Sequence, residues 1–124
     1  MSHQIILKTG KLSMNAELND SGISGKIWEK LPIKARVSTW GDEIYFPIPV
    51  KSQNENGVST VHLGDLGYWP PSNCFCIFFG KTPVSTANEI RPASDVTILG
   101  KLSGKPQEWK VVNSGDEITI EKAL

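Results

Sequence analysis

The chain has 124 residues, 39% hydrophobic and 21% charged, and 13 basic residues balance 13 acidic ones to a formal net charge of zero. That length suits a single domain, residues 1–124, able to bury about two-thirds of its unfolded surface without staples. Balanced charge with no basic run argues against nucleic acid as a partner. No apolar stretch reaches the length of a membrane span or a signal segment, so no membrane partner and a cytoplasmic location are expected.

Taken in order, residues 3–9 read as an opening strand, followed by a turn at Gly10. Leu12, Met14, Ala16 and Leu18 then alternate with polar residues, the period-two mark of a half-buried strand, and the turn between the two runs predicts a hairpin. Asn19-Asp20-Ser21 offers N-cap side chains, and Ile23, Ile27 and Leu31 follow at helical spacing with Trp28 beside them. Gly22, Ser24 and Gly25 weaken this short helix, so its stability must come from docking on a sheet, and Pro32 ends it.

Alternation returns at Ile33, Ala35 and Val37, and Trp40-Gly41-Asp42 turns the chain. The next strand sets Ile44, Phe46 and Ile48 against Glu43, Tyr45 and Pro47, and the prolines place its end at an edge or rim. Residues 51–57 (KSQNENG) are polar and read as a mobile exposed loop, and residues 58–63 as a strand.

Residues 64–83 (GDLGYWPPSNCFCIFFGKTP) concentrate aromatics, paired prolines and both cysteines. Two strands joined by a Pro-Pro corner are expected here, with apolar side chains on both faces of the second and therefore burial on both. Cys74 and Cys76 share a face two residues apart, poorly placed to bond each other, and read as buried thiols acting as small hydrophobes. Residues 84–94 lack periodicity and read as loop. Residues 95–102 resume alternation, and residues 109–112 and 117–121 flank the turn-forming NSGD to give a terminal hairpin. Short strands at close spacing, one helix and no βαβ rhythm predict an all-β, closed or nearly closed antiparallel barrel.

Leu31-Pro32, the run WGDEIYFPIP from Trp40 to Pro49, and residues 64–83 together resemble the small bacterial and archaeal cyclophilin-like family, whose members have no established activity. The resemblance spans almost the whole chain and implies a closed antiparallel eight-stranded cyclophilin-like β-barrel with one or two short helices. It does not imply prolyl isomerase activity. True cyclophilins carry a Phe-His-Arg element, and the arginines of this chain, Arg36 and Arg91, stand in other surroundings.

The candidate site is drawn from aromatics and charges at strand ends. Trp40, Tyr45, Tyr68 and Trp69 combine apolar rings with polar tips suited to a flat or proline-like ligand. Glu43, two residues before Tyr45, shares its face and can orient a ligand or act as a general base. Arg91 can stack on the aromatics or hold a carboxylate. Core packing for the aromatics and solvated surface positions for Glu43 and Arg91 are the competing readings. His3 and His62 lack metal spacing and the two cysteines have no nearby histidine, so no metal and no cofactor are expected.

The preferred expectation is an uncharacterised barrel protein that binds a small molecule or a short proline-containing peptide in an aromatic-lined pocket. Two alternatives stand beside it. One is a divergent prolyl isomerase using Arg91 or Arg36. The other is an interaction module whose Pro70-Pro71 rim meets a partner or a second copy, as a monomer or homodimer.

Overall fold

Antiparallel pairing begins at the N-terminus, where β1 (His3–Thr9) and β2 (Leu12–Leu18) align Ile5 with Ala16 and Leu7 with Met14. All four side chains are buried while Lys8 and Glu17 face out, so alternation has set the register. The computed structural model describes residues 3–10 and 12–123.

Helix α1 (Gly22–Lys30) starts at Ser21, whose Oγ accepts from Ser24 N at 3.1 Å, and buries Ile23 and Ile27 completely. A second amide of its first turn, Ile23 N, donates to Glu55 Oε1 at 2.7 Å. The loop expected to be mobile is therefore tied down although all its residues but the half-buried Ser52 are exposed. Glu55 N donates to Thr97 Oγ1 at 2.8 Å, and Thr97 Oγ1 in turn donates to Asn54 Oδ1 at 2.9 Å. Two anchoring points offset the weak helix propensity of Gly22 and Gly25.

The remaining strands are β3 (Ile33–Arg36), β4 (Ser38–Thr39), β5 (Glu43–Pro47), β6 (Asp65–Trp69), β7 (Cys74–Phe78), β8 (Thr97–Leu102) and β9 (Glu117–Lys122). They form one antiparallel sheet in the order β3-β9-β1-β2-β8-β6-β7-β5-β4. Its two terminal strands are consecutive in the chain with Val37 alone between them, so a single stretch begins on β9 and finishes on β5. The barrel is nearly closed by covalent continuity.

This also explains why there are nine strands where the family resemblance implies eight. Val37 N donates to Asp116 O at 2.9 Å and Val37 O accepts from Gly115 N at 2.8 Å, holding it to the segment before β9. Ser38 and Thr39 have already crossed to pair with Tyr45 and Ile44. What reads as one strand is shared between two neighbours and divides there.

Two other expectations are corrected. Residues 58–63 make only the isolated bridges Val58↔Val96 and Val61↔Ile90, and they serve as a cover laid over the outer face of β6 and β7. Residues 109–112 are not a strand: Pro106–Val111 is a 3-10 helix that drives Trp109 into the barrel core, its Nε1 donating to Met14 Sδ at 3.2 Å. Pro106 has no N–H for a ladder and suits the first turn of a helix. β9 pairs with β1 and β3 instead.

β7 is buried on both faces, as its apolar pattern requires. Phe75 and Ile77 enter the main core inside the barrel, and Cys74, Cys76 and Phe78 join Val61 and Val96 in a second cluster outside it. Gly67 of β6 lies in that outer cluster, where a Cβ would stand 3.3 Å from both Phe78 and Val96, so its missing side chain lets the cover settle on the sheet.

Tyr68 faces the other way. It is fully buried in the barrel core, donating to Val50 O at 2.7 Å and accepting from Ser52 N at 3.1 Å. Tyr68→Phe leaves both backbone groups short of a partner and is expected to lower unfolding free energy by about 1–2 kcal/mol in urea titrations. A loss below about 0.3 kcal/mol contradicts this role.

Candidate functional site

The site forms beside the outer cluster, against which Tyr45 and Trp69 pack. Trp40 and Glu43 flank a two-residue turn, with Trp40 N donating to Glu43 O at 2.9 Å and Glu43 N to Trp40 O at 3.3 Å. Gly41 takes the first central position with φ +61°, the place a type II′ hairpin turn keeps for glycine. A Cβ there would also meet Lys81 O at 2.8 Å. Asp42 N donates to Lys81 O at 2.8 Å and Phe79 N to Asp42 O at 3.0 Å, so residues 79–81 are the dock that fixes this turn.

Beyond the turn, Glu43 and Tyr45 share the outer face of β5, with Cys76 of β7 opposite Tyr45. Trp69 closes β6 opposite Cys74. Its Nε1 donates to Ser94 Oγ at 2.7 Å and ties residues 92–94 across the opening as a strap. The strap is held from behind by Thr82, whose hydroxyl donates to Arg91 O, and by Ser85, whose Oγ accepts from Arg91 N at 3.0 Å. Trp40, Glu43, Tyr45, Trp69, Pro92 and Ala93 thereby line a half-open cavity of about 280 Å³.

Glu43 is the unusual member. Its side chain is buried to 5% exposure, and it makes no ion pair among the described residues. Burial pushes its carboxyl up to about 7, against a smaller opposing pull from its hydrogen bond with the Cys76 thiol. Cys76 is itself held well above the ordinary thiol range, first by burial and then by Glu43, so it stays protonated and acts as a donor rather than a nucleophile. A carboxyl poised near neutrality in an apolar site can accept or donate a hydrogen bond, or move a proton.

Four of the six candidate residues, Trp40, Glu43, Tyr45 and Trp69, thus meet at one cavity. Tyr68 does not, because it lies on the inner face of β6. Arg91 does not line it either. It pairs with Glu89 at 2.6 Å and borders a neighbouring depression on the far side of Pro92 and Ala93. Arg36 is exposed and donates to Gly115 O at 2.9 Å.

Sequence reasoning missed the strap and the Cys76 donor. The loop had no periodicity to place it, and its one signal was the need of the Trp69 indole for an acceptor. Among the described residues no three His, Cys, Asp or Glu side chains gather as a metal site, and no helix is long and apolar enough to cross a membrane.

Comparison with known proteins bears on this arrangement at the level of fold. The cyclophilin-like family model matches residues 3–121. The solution structure of AF2241, a hypothetical protein from Archaeoglobus fulgidus, is similar at TM-score 0.83 and 34% identity, covering 98% of this chain and 95% of that one. McbB, solved in complex with tryptophan, is similar at TM-score 0.71 but 8% identity, over 95% of this chain and 44% of its own, a likeness of fold alone. No curated protein matches the chain.

Proposed function

We propose, from the premise that this chain belongs to the cyclophilin-like family, that its work is to bind a small organic molecule in the cavity between Trp40, Tyr45 and Trp69. The observation that carries this reading is the convergence of three aromatic rings and one buried, unpaired carboxyl on a single concavity. Core packing has no use for such a carboxyl, since leaving it there costs stability at neutral pH. At about 280 Å³ the cavity is at the small end of ligand sites, which run from about 300 Å³ upward, so it suits a metabolite-sized body or one residue of a peptide such as proline.

Prolyl isomerisation draws no support from the arginines, because Arg36 and Arg91 both point their charge elsewhere. The Pro70–Ser72 turn contributes no residue to the cavity lining, so nothing favours the interaction-module reading at this site.

An NMR titration with small aromatic and cyclic fragments, tryptophan and proline peptides among them, tests the proposal. Binding should move the indole N–H signals of Trp40 and Trp69, and Trp69→Ala should weaken it about tenfold while the fold persists. Fragments that gather elsewhere, or an affinity that Trp69→Ala leaves unchanged, would sink the reading.

A further inference from the structure

The chemistry of the lining narrows the ligand class. We infer that the cavity takes an organic cation, an ammonium carrying small apolar groups, with the Glu43 carboxylate as its counter-charge and the rings of Trp40, Tyr45 and Trp69 as its walls. This rests on the cavity being a ligand site and goes beyond it by stating the charge of the ligand.

The protein leaves the positive position empty. The cations that the fold brings to the turn and the strap are already engaged: Lys110 lies 3.7 Å from Asp42, beside Glu43 in the turn, Lys81 Nζ donates to Ala87 O at 3.0 Å, and Arg91 pairs with Glu89. Among the described residues no basic side chain lines the cavity. Glu43 therefore presents a 5% exposed carboxyl whose one side-chain partner is a thiol, a weak donor that cannot neutralise it.

The walls suit the same ligand. Indole and phenol faces carry negative potential that attracts a cation, Trp best among them. The Trp69 N–H is already taken by Ser94, so that residue offers the cavity its ring rather than a donor. An anion would face like charge, and a bare divalent metal needs several oxygen ligands where a single carboxylate stands. A neutral apolar molecule would bury the carboxyl further with nothing in return.

Ligand charge also predicts how pH acts. The titratable groups facing Glu43 are Tyr45 on its own strand and Cys74 and Cys76 on β7, and the two thiols are pushed up, away from neutrality. The turn, β6 and the strap line the cavity with Trp40, Trp69, Pro92 and Ala93, none of which titrates, while the other charges of the turn, Asp42 and the Lys110 3.7 Å from it, lie outside that lining. A permanently charged ligand therefore binds the ionised carboxylate and gains affinity as pH rises through about 7.

Choline and its uncharged carbon isostere 3,3-dimethylbutan-1-ol separate charge from shape. Followed at the Trp40 and Trp69 indole signals, choline should bind at least about tenfold more tightly than the isostere at about pH 8. That preference should shrink severalfold at about pH 5.5. Glu43→Gln should remove both the preference and its pH dependence while retaining weak binding of the isostere.

Equal or tighter binding of the isostere at those indoles, or a choline preference that survives Glu43→Gln, overturns the cation while leaving the cavity a ligand site. Silence from both probes also overturns the cation, and the fragment titration then decides separately whether the cavity binds anything.

Discussion

Glu43→Gln is expected to make the protein more stable at neutral and alkaline pH, by up to about 3 kcal/mol, and to change nothing at about pH 4. Below the ordinary carboxyl value of 4.5 the group is protonated in the folded and the unfolded chain alike, so it adds no pH dependence. Between 4.5 and about 7 the unfolded chain releases a proton that the fold retains. Stability therefore falls with rising pH across that window, and above it the loss is complete. Glutamine keeps the shape and cannot ionise, so the variant escapes the loss. Urea titrations of both proteins at about pH 4, 6 and 8 check it, with the gap opening between the first and the last. A variant less stable than the parent at high pH would mean that Glu43 has a structural counter-charge after all.

Gly100→Ala is expected to cost about 3 kcal/mol or more, enough to leave the chain largely unfolded if its stability is ordinary. The residue sits where β8 departs from regular pairing, since Leu66 faces Gly100 but Gly67 faces Ile98 and Leu99 is left over. Its φ is +153°, and a Cβ would stand 1.7 Å from Glu17 O and 3.0 Å from Leu18 Cα on β2. Neither obstacle is a flexible side-chain tip. The β2–β8 join, through which the two halves of the barrel meet, would have to separate. Gly10→Ala is the control, because nothing lies within 4 Å of its added carbon, and it should fall within about 0.5 kcal/mol of the parent. If Gly100→Ala melts like the control, the bulge is not the close approach described.

Much of the barrel was legible because period-two patterns state which face each residue takes. The clearest case is β7, where apolar residues at every position required two covers and both are present. That the barrel closes was expected, but the place where it closes was not legible. That Val37 turns to the segment before β9 while Ser38 turns to β5 depends on partners far along the chain, and no local pattern records it. Nor does local alternation tell a four-residue strand from a 3-10 helix, which is why residues 109–112 read as a strand although Pro106, just before them, favours the start of a helix.

The site was half legible by the same parity. Glu43 and Tyr45 had to share a face, and they do. Tyr68 and Trp69, adjacent in one strand, had to point to opposite faces, so both could never line one cavity, and the inward course of Phe75 opposite Tyr68 assigns Tyr68 to the core. Arg91 lay in an aperiodic loop, where sequence proximity to the aromatics carried no direction. The unpaired state of Glu43 was beyond sequence altogether. It depends on where Lys110 and Arg91 spend their charge.

Both the ligand site and the charge of its ligand depend on the Glu43 carboxyl being buried in an apolar cavity with no counter-ion among the described residues. A carbon-13 NMR titration of the Glu43 side-chain carboxyl reads this directly. A midpoint near 7 is the result predicted. A midpoint near the ordinary 4.5 would place the carboxyl in water or beside a cation of the protein, and would contradict the account.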